Sequence, residues 1–308
     1  MSANTLPAQP VCPDVYKDRP ALRVETAALT ALYLPEDGGK LVSLKAKRDG
    51  FEFLCQNPAP AYARLAYDGS YIQSECASWD DMFPTIDPWT PDVGPFAGKT
   101  WLDHGEVCRL PMQTSVTKDG IRMHTSLREL PVDFEKVISP CADGALAVTY
   151  TLTNRSEHPF PYIWAAHCML RGTDDLRVET PYPVDAPAAY MFGGEAAPSL
   201  PRDRLTGYAP GSGAAYKFYY TAPTDGGFVA GRYTASGHRF EMDYRADAAA
   251  VPYVGIWINN GGFKDLYNIA LECCTAPYDA PDKAMDKGYC SVLGPREART
   301  FTIRIRID

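Results

Sequence analysis

The chain reads as an all-β protein, and three observations predict it. Period-two or continuous apolar stretches make about a dozen strands, the pattern of half-buried and fully buried sheet. Two dipeptides, Asp119-Gly120 and Ser236-Gly237, carry tight hairpin signals. No long stretch keeps a helical period without a Pro or Gly interrupting it. In chain order, LVSLKAK and FEFLC come first. MQTSVTK and IRMHTSL follow, joined at Asp119-Gly120, and ALAVTYTLTN alternates throughout. FPYIWAAHCML is apolar almost without a break, and YKFYYT is rich in aromatics. GFVAGRYT turns through Ser236-Gly237 into HRFEMDY, and YVGIWI, YNIALECC and RTFTIRIRI complete the series. Antiparallel sheets packed face to face follow, with no Rossmann unit and no phosphate loop.

Composition narrows the class. At 308 residues the chain exceeds the usual domain size, but large β-sandwiches reach it as one unit and bury roughly 75% of the unfolded surface. A single domain over 1–308 is expected, with residues 1–20 as an irregular N-terminal arm. The 45% hydrophobic and 22% charged fractions are ordinary for a globular protein, and the net charge of -8 is spread along the chain. No basic stripe exists to neutralise phosphates, so nucleic acid is excluded as a partner. The first residues lack a basic start and an apolar run, and no transmembrane-length apolar stretch occurs, so the expectation is a cytoplasmic protein with no membrane partner.

Nine cysteines are an odd count, and Cys55, Cys168 and Cys273 sit inside apolar strands, so packed free thiols are expected. No CxxC or HxxxH spacing suggests zinc, and the adjacent Cys273 and Cys274 would point to opposite faces of a strand. No metal is assigned. Two long tracts break the strand rhythm: Trp79 to Leu102, with four prolines, and about Glu179 to Gly213, rich in Pro, Ala and Gly. Their aromatics, among them Trp79, Phe83, Trp89, Tyr182 and Tyr190, favour ordered binding loops over linkers.

Two strands each carry one ionisable residue in an apolar run, His167 in YIWAAHCML and Glu272 in NIALECC, and a further imidazole, His104, lies in WLDHGEV. Burying such groups unpaired costs several kcal/mol, about 2–7 for a neutral polar group and more for a charge, so a partner or a ligand must offset it. Strand phase puts His167 on a face with Ile163, Ala165 and Met169, and Glu272 with Ala270 and Cys274, small neighbours that leave room for a ligand. From spacing alone, a satisfied core imidazole and a structural ion pair are the favoured reading.

The stretches LPEDGGKLVSLKAKRDGFEFLCQNP, DHGEV, YIWAAHCM, IALECC and SVLGPREARTFTIRIRI, in this order, resemble the landmarks of the aldose 1-epimerase (galactose mutarotase) family along nearly the whole chain. The resemblance implies a large antiparallel β-supersandwich with a sugar bound in a cleft on one sheet. It implies interconversion of α and β anomers by general acid–base ring opening, without a cofactor. Glu272 matches the family's base, His167 its acid toward the ring oxygen, and His104 the second histidine, which holds the ring oxygen or a hydroxyl.

The segment ahead of the first histidine, YIQSECASWDDMFPTI, departs from the family's Asn/Arg-rich pattern, and no later Asp motif matches, so a divergent branch is indicated and the sugar is unnamed. Carbohydrate sites stack an indole on the apolar face of a pyranose, which nominates Trp257 and Trp79, with Asp80 for a hydroxyl. Core packing is the alternative for each Trp, and a turn role for Asp80. Arg64 and Asp243 read as surface charges, His124 and His238 as solvent-facing, and His158 as a turn residue. The partner implied is a monosaccharide or sugar derivative, bound by a monomer or homodimer. A non-catalytic carbohydrate-binding module on the same fold is the second hypothesis. A lyase or hydrolase would need a second buried carboxylate on a matching strand, and the sequence leads us to expect none.

Overall fold

In a computed structural model of the chain, residues 10–183, 185–193 and 212–308 are described. Among them the strands form two large antiparallel sheets and one small one. The ten-stranded sheet runs β1 (Val11–Tyr16), β2 (Arg19–Glu25), β3 (Leu29–Leu34), β4 (Lys40–Ala46), β5 (Trp79–Met82), β11 (Ala165–Arg171), β18 (Tyr267–Cys274), β17 (Tyr253–Asn260), β14 (Ala214–Tyr220) and β13 (Ala188–Phe192). The eight-stranded sheet runs β12 (Leu176–Glu179), β15 (Phe228–Tyr233), β16 (Arg239–Asp243), β20 (Ala298–Ile307), β9 (Leu146–Asn154), β8 (Val132–Pro140), β7 (Gly120–Ser126) and β6 (Gln113–Thr117). A short pair, β10 (Phe160–Tyr162) with β19 (Ser291–Leu293), and one helix, α1 (Pro281–Asp286), complete the regular elements. The all-β expectation holds.

The core lies between the two large sheets, where alternation turns every second side chain inward. Phe134 and Ile138 of β8, Val148 and Leu152 of β9, and Ile303 and Ile305 of β20 meet Ala166, Cys168 and Leu170 of β11 and Leu271 and Cys273 of β18. On the outward face of the smaller sheet, Thr149 and Thr302 pair their hydroxyls at 3.0 Å and Thr151 and Thr300 at 3.1 Å, the cross-strand pattern of a solvated face. The hairpin expected at Asp119-Gly120 forms one residue earlier, with Thr117 paired to Gly120 across Lys118-Asp119. Gly120 stands at φ +146°, where a Cβ would lie 2.0 Å from the Ile138 carbonyl oxygen.

One inward position on β8 is charged. Lys136 extends to Asp81 of β5 at 2.8 Å and to the Gly39 carbonyl at 2.7 Å, beside a void of about 10 Å³.

Several expectations are corrected. The irregular arm at 1–20 contains β1, paired along its length with β2. The first long tract opens with β5, which is central in the larger sheet, and the second contains β13; the remainder of that tract, 194–211, lies outside the described residues. FEFLC forms only isolated bridges, because the Glu52 carboxylate accepts the N–H groups of Leu44 and Leu54 that a neighbouring strand would otherwise take. FPYIWAAHCML divides into β10 and β11, since the N–H of Ile163 goes to the Pro84 carbonyl and that of Trp164 to the Thr275 hydroxyl. His238 is buried rather than solvent-facing: it stacks on Phe51 at 3.9 Å and bonds Asp49 at 2.9 Å. All nine cysteines are free thiols.

Candidate active site

The outer face of the larger sheet is organised in cross-strand rows. Pairing of His167 with Asp80, of Ala165 with Cys274 and Cys168 with Leu271, of Gly255 with Glu272, and of Tyr219 with Gly255 aligns Asp80, His167, Glu272, Gly255 and Tyr219 across five strands. The neighbouring row is Met169, Ala270, Trp257 and Lys217. Small residues in these rows make space. A Cβ on Gly255 would lie 2.5 Å from the Tyr219 ring, so only glycine there admits that ring beside Glu272.

Above these rows opens a cavity of about 320 Å³, lined by His104, His167, Lys217, Trp257, Asn259, Asn268 and Asp279 among others. His167 Nε2 stands 3.6 Å from Glu272 Oε1. Lys217 Nζ lies 2.9 Å from Glu272 Oε2 and 2.9 Å from Asp279 Oδ1, and the Tyr219 hydroxyl donates to the same Asp279 oxygen at 2.7 Å. Asp279 arrives from the segment after β18. Its backbone carbonyl accepts the N–H groups of Ile86 at 2.9 Å and Asp87 at 2.7 Å, which ties that segment to the long loop bearing His104.

Glu272 is 0% exposed and His167 5%. Two of their polar atoms, Glu272 Oε1 and His167 Nδ1, are buried with no hydrogen-bond partner among the described residues. Unpartnered buried polar atoms cost about 1–3 kcal/mol each, and such atoms concentrate where a ligand completes the set. Burial raises the pKa of Glu272 and Asp279 adds to the rise, while Lys217 opposes it. Burial also lowers His167 well below the ordinary imidazole value, helped by His104, Lys217 and Lys40, so its ring is neutral at neutral pH. For Lys217 burial works against the ammonium, but Asp279 and Glu272 outweigh it and leave the pKa raised.

His104 is held as a platform. Its backbone is left-handed at φ +58°, its N–H bonds the Ile86 carbonyl, and its Nδ1 meets Asp103 at 2.7 Å. Its ring lies on Tyr71 at 3.8 Å with planes 4° apart, and stands edge-on to His167 at 5.7 Å. Tyr71 is fixed from below: its hydroxyl donates to Asp80 Oδ2 at 2.8 Å, and Lys40 Nζ reaches the same oxygen at 2.5 Å.

The residues expected at the site therefore divide. His104, His167 and Glu272 converge, and Trp257 lines the cavity, packing on Phe263 at 5.1 Å. Trp79 does not reach it: β5 turns Trp79 into the inter-sheet core, edge-on to Phe240 at 6.3 Å. Adjacent strand residues point to opposite faces, so Trp79 and Asp80 could never both line one cleft. Asp80 faces the right way but lies under Tyr71, is buried, and is outside the cavity lining. Sequence reasoning passed over Lys217, Asp279 and Tyr71. Lys217 carried a signal, the one cation in the aromatic strand YKFYYT; Asp279 and Tyr71 come from irregular segments and carried none.

Among the described residues, no group of three or more His, Cys, Asp or Glu is placed to hold a metal ion, and no helix is long and apolar enough to cross a membrane.

No family model and no curated protein matches the chain. Solved structures do. A protein from Klebsiella pneumoniae subsp. pneumoniae described as a "putative aldose 1-epimerase" superposes with a TM-score of 0.72 at 15% identity, over 94% of this chain and 79% of its own. A galactose mutarotase-like protein from Lactobacillus casei gives 0.65 at 17%, over 94% and 100%, and a galactose mutarotase related enzyme from Lactobacillus acidophilus 0.65 at 14%, over 94% and 97%. The fold is the galactose mutarotase-like β-sandwich.

Proposed function

We propose that the chain is a cofactor-independent isomerase of the aldose 1-epimerase type, which interconverts the anomers of a monosaccharide or sugar derivative in the cavity above β11 and β18. The observation that carries the reading is the meeting of His167 and Glu272 at 3.6 Å beneath a cavity, each with one polar atom unpartnered. Ring opening removes the proton from the anomeric hydroxyl, breaks the bond between the anomeric carbon and the ring oxygen, and delivers a proton to that oxygen. Glu272 takes the first proton. His167 gives the second from Nδ1 while Nε2 accepts the proton held by Glu272, so the ring changes tautomer and stays neutral. A depressed imidazole pKa is then no obstacle, and closure on either face of the aldehyde runs the relay backwards. Positioned acid–base groups contribute about 10²–10⁴-fold. His104 serves a ring oxygen or hydroxyl, and Trp257 the apolar face of the sugar.

The test is anomer exchange followed by NMR or optical rotation across aldoses, deoxy sugars and uronates. Acceleration with at least one sugar is expected. In His167→Asn the loss should fall on turnover more than on affinity, because proton donation belongs to the transition state. The second reading, a carbohydrate-binding module, draws on the full burial of Glu272 under Lys217. Sugar binding with no faster exchange would establish it in place of the first.

A further inference from the structure

Glu272 has no exposed surface, and the cavity-lining groups that border it are His167 and Lys217. His167 stands at Oε1, and Lys217 covers Oε2 at 2.9 Å. Oε1 faces His167 Nε2, so a sugar hydroxyl reaches Glu272 at Oε2, where it must first take the place of Nζ, and the protonated carboxyl then turns to bring that proton to Nε2. Lys217 has somewhere to go, since Asp279 already holds it at 2.9 Å and lines the same cavity. A lysine ammonium on a flexible stem, with three donors, can release one acceptor and keep another.

We propose that Lys217 is a displaceable cap on Glu272 and Asp279 its parking site, so that ligand binding exchanges the Lys217–Glu272 contact for one between the anomeric hydroxyl and Glu272. The cap makes Lys217 a positioning residue for the proton pair, and it rests on the epimerase reading above. In the resting site it satisfies a buried carboxylate that would otherwise have no cation. Once it withdraws to Asp279, Glu272 becomes a stronger base toward the hydroxyl that replaces it.

The other groups facing Glu272 do not provide such a cap. From β14 the Tyr219 hydroxyl stands 3.5 Å from Oε2 and is committed to Asp279. From β18 itself comes the Cys274 thiol, buried and raised well above its ordinary pKa by that burial. From the neighbouring loop comes His104, engaged by Asp103 and Tyr71. β17 contributes only Gly255 opposite Glu272.

The experiment is a titration of Glu272 in the full chain, by NMR of carboxylate-labelled glutamate assigned with Glu272→Gln, in wild type, Lys217→Met, Lys217→Arg and Asp279→Asn. Lys217→Met removes the nearest opposite charge and should raise the Glu272 midpoint by about 1–3 pH units. Asp279→Asn leaves Nζ on Glu272 alone and should lower that midpoint, while slowing anomer exchange by about tenfold or more, one tenfold step being about 1.4 kcal/mol. Lys217→Arg should leave the midpoint near wild type. Those opposite shifts follow from the two charges alone, so the cap is read from the same titrations at a saturating aldose from the panel. The wild-type midpoint should rise toward that of Lys217→Met while Lys217→Met stays put, whereas a fixed lysine would shift both alike.

If saturating aldose moves the Glu272 midpoint of wild type and Lys217→Met alike, or moves neither in protein that still folds by circular dichroism, the cap is wrong. The two readings fail separately. Titrations that behave as described without accelerated exchange of any aldose retain the cap and remove the epimerase. Accelerated exchange with an unmoved Glu272 does the reverse.

Discussion

β5 carries two consecutive aspartates, and they serve opposite faces of one sheet. Asp81 turns inward and meets Lys136 across the sandwich, beside a void of about 10 Å³ that can hold one water at most. Asp80 turns outward, in the same row as His167 and Glu272, beneath a cavity of about 320 Å³. Both faces bury charge, but only the outer one places a charged cluster where a ligand can enter. The comparison teaches that burial of an ion pair says little by itself, whereas buried unpartnered atoms facing ligand-sized space mark chemistry.

Mutation should separate the two faces. Glu272→Gln keeps the shape of the site and removes the proton acceptor, so exchange should drop by about 10²–10⁴-fold with little change in thermal stability. Lys136→Met should do the opposite. Leaving Asp81 unpaired inside the sandwich costs about 3–5 kcal/mol, read as a lower denaturant midpoint, while ligand affinity of the folded fraction stays near wild type. Equal effects of both variants on activity and stability would erase the distinction.

A pH series sharpens it. The His167 pKa in the fold lies well below the ordinary value of 6.5, so the unfolded chain takes up that proton first. The stability contributed by keeping His167 neutral is therefore present above about pH 6.5 and lost as pH falls. Melting temperatures should decline from about pH 7 to pH 5 less steeply in His167→Gln than in wild type. An identical decline in both would mean that His167 titrates normally.

The smallest effect concerns the two tryptophans nominated for sugar stacking. Trp79→Phe should cost about 1–3 kcal/mol of stability and leave sugar affinity unchanged, since Trp79 packs in the core. Trp257→Ala should weaken binding by about 1 kcal/mol with a smaller loss of stability. A loss of affinity in Trp79→Phe would overturn that placement.

These contrasts also show which parts of the molecule were legible in the sequence. Strands with strict alternation or long apolar runs, such as β9, β18 and β20, could be read directly because the sandwich enforces period two on them. β8 alternates just as cleanly, yet its inward Lys136 disguises the apolar face, and the sequence does not reveal that Asp81 awaits it. β5 hides within a proline-rich tract because it is only four residues long. Of the site, the imidazoles and Glu272 stood out as polar breaks in apolar strands. The cation over Glu272 and the carboxylate that holds it became visible only when β14 and the segment after β18 were brought over one row.

The position of Trp257 has a practical consequence. Of the chain's five tryptophans only this one lines the cavity; Trp79, Trp101 and Trp164 are buried in the core and Trp89 stacks on Trp101 at 4.0 Å. Occupation of the cleft would perturb one indole against a constant background, so intrinsic fluorescence offers a label-free optical signal of ligand arrival that the four other emitters leave unchanged.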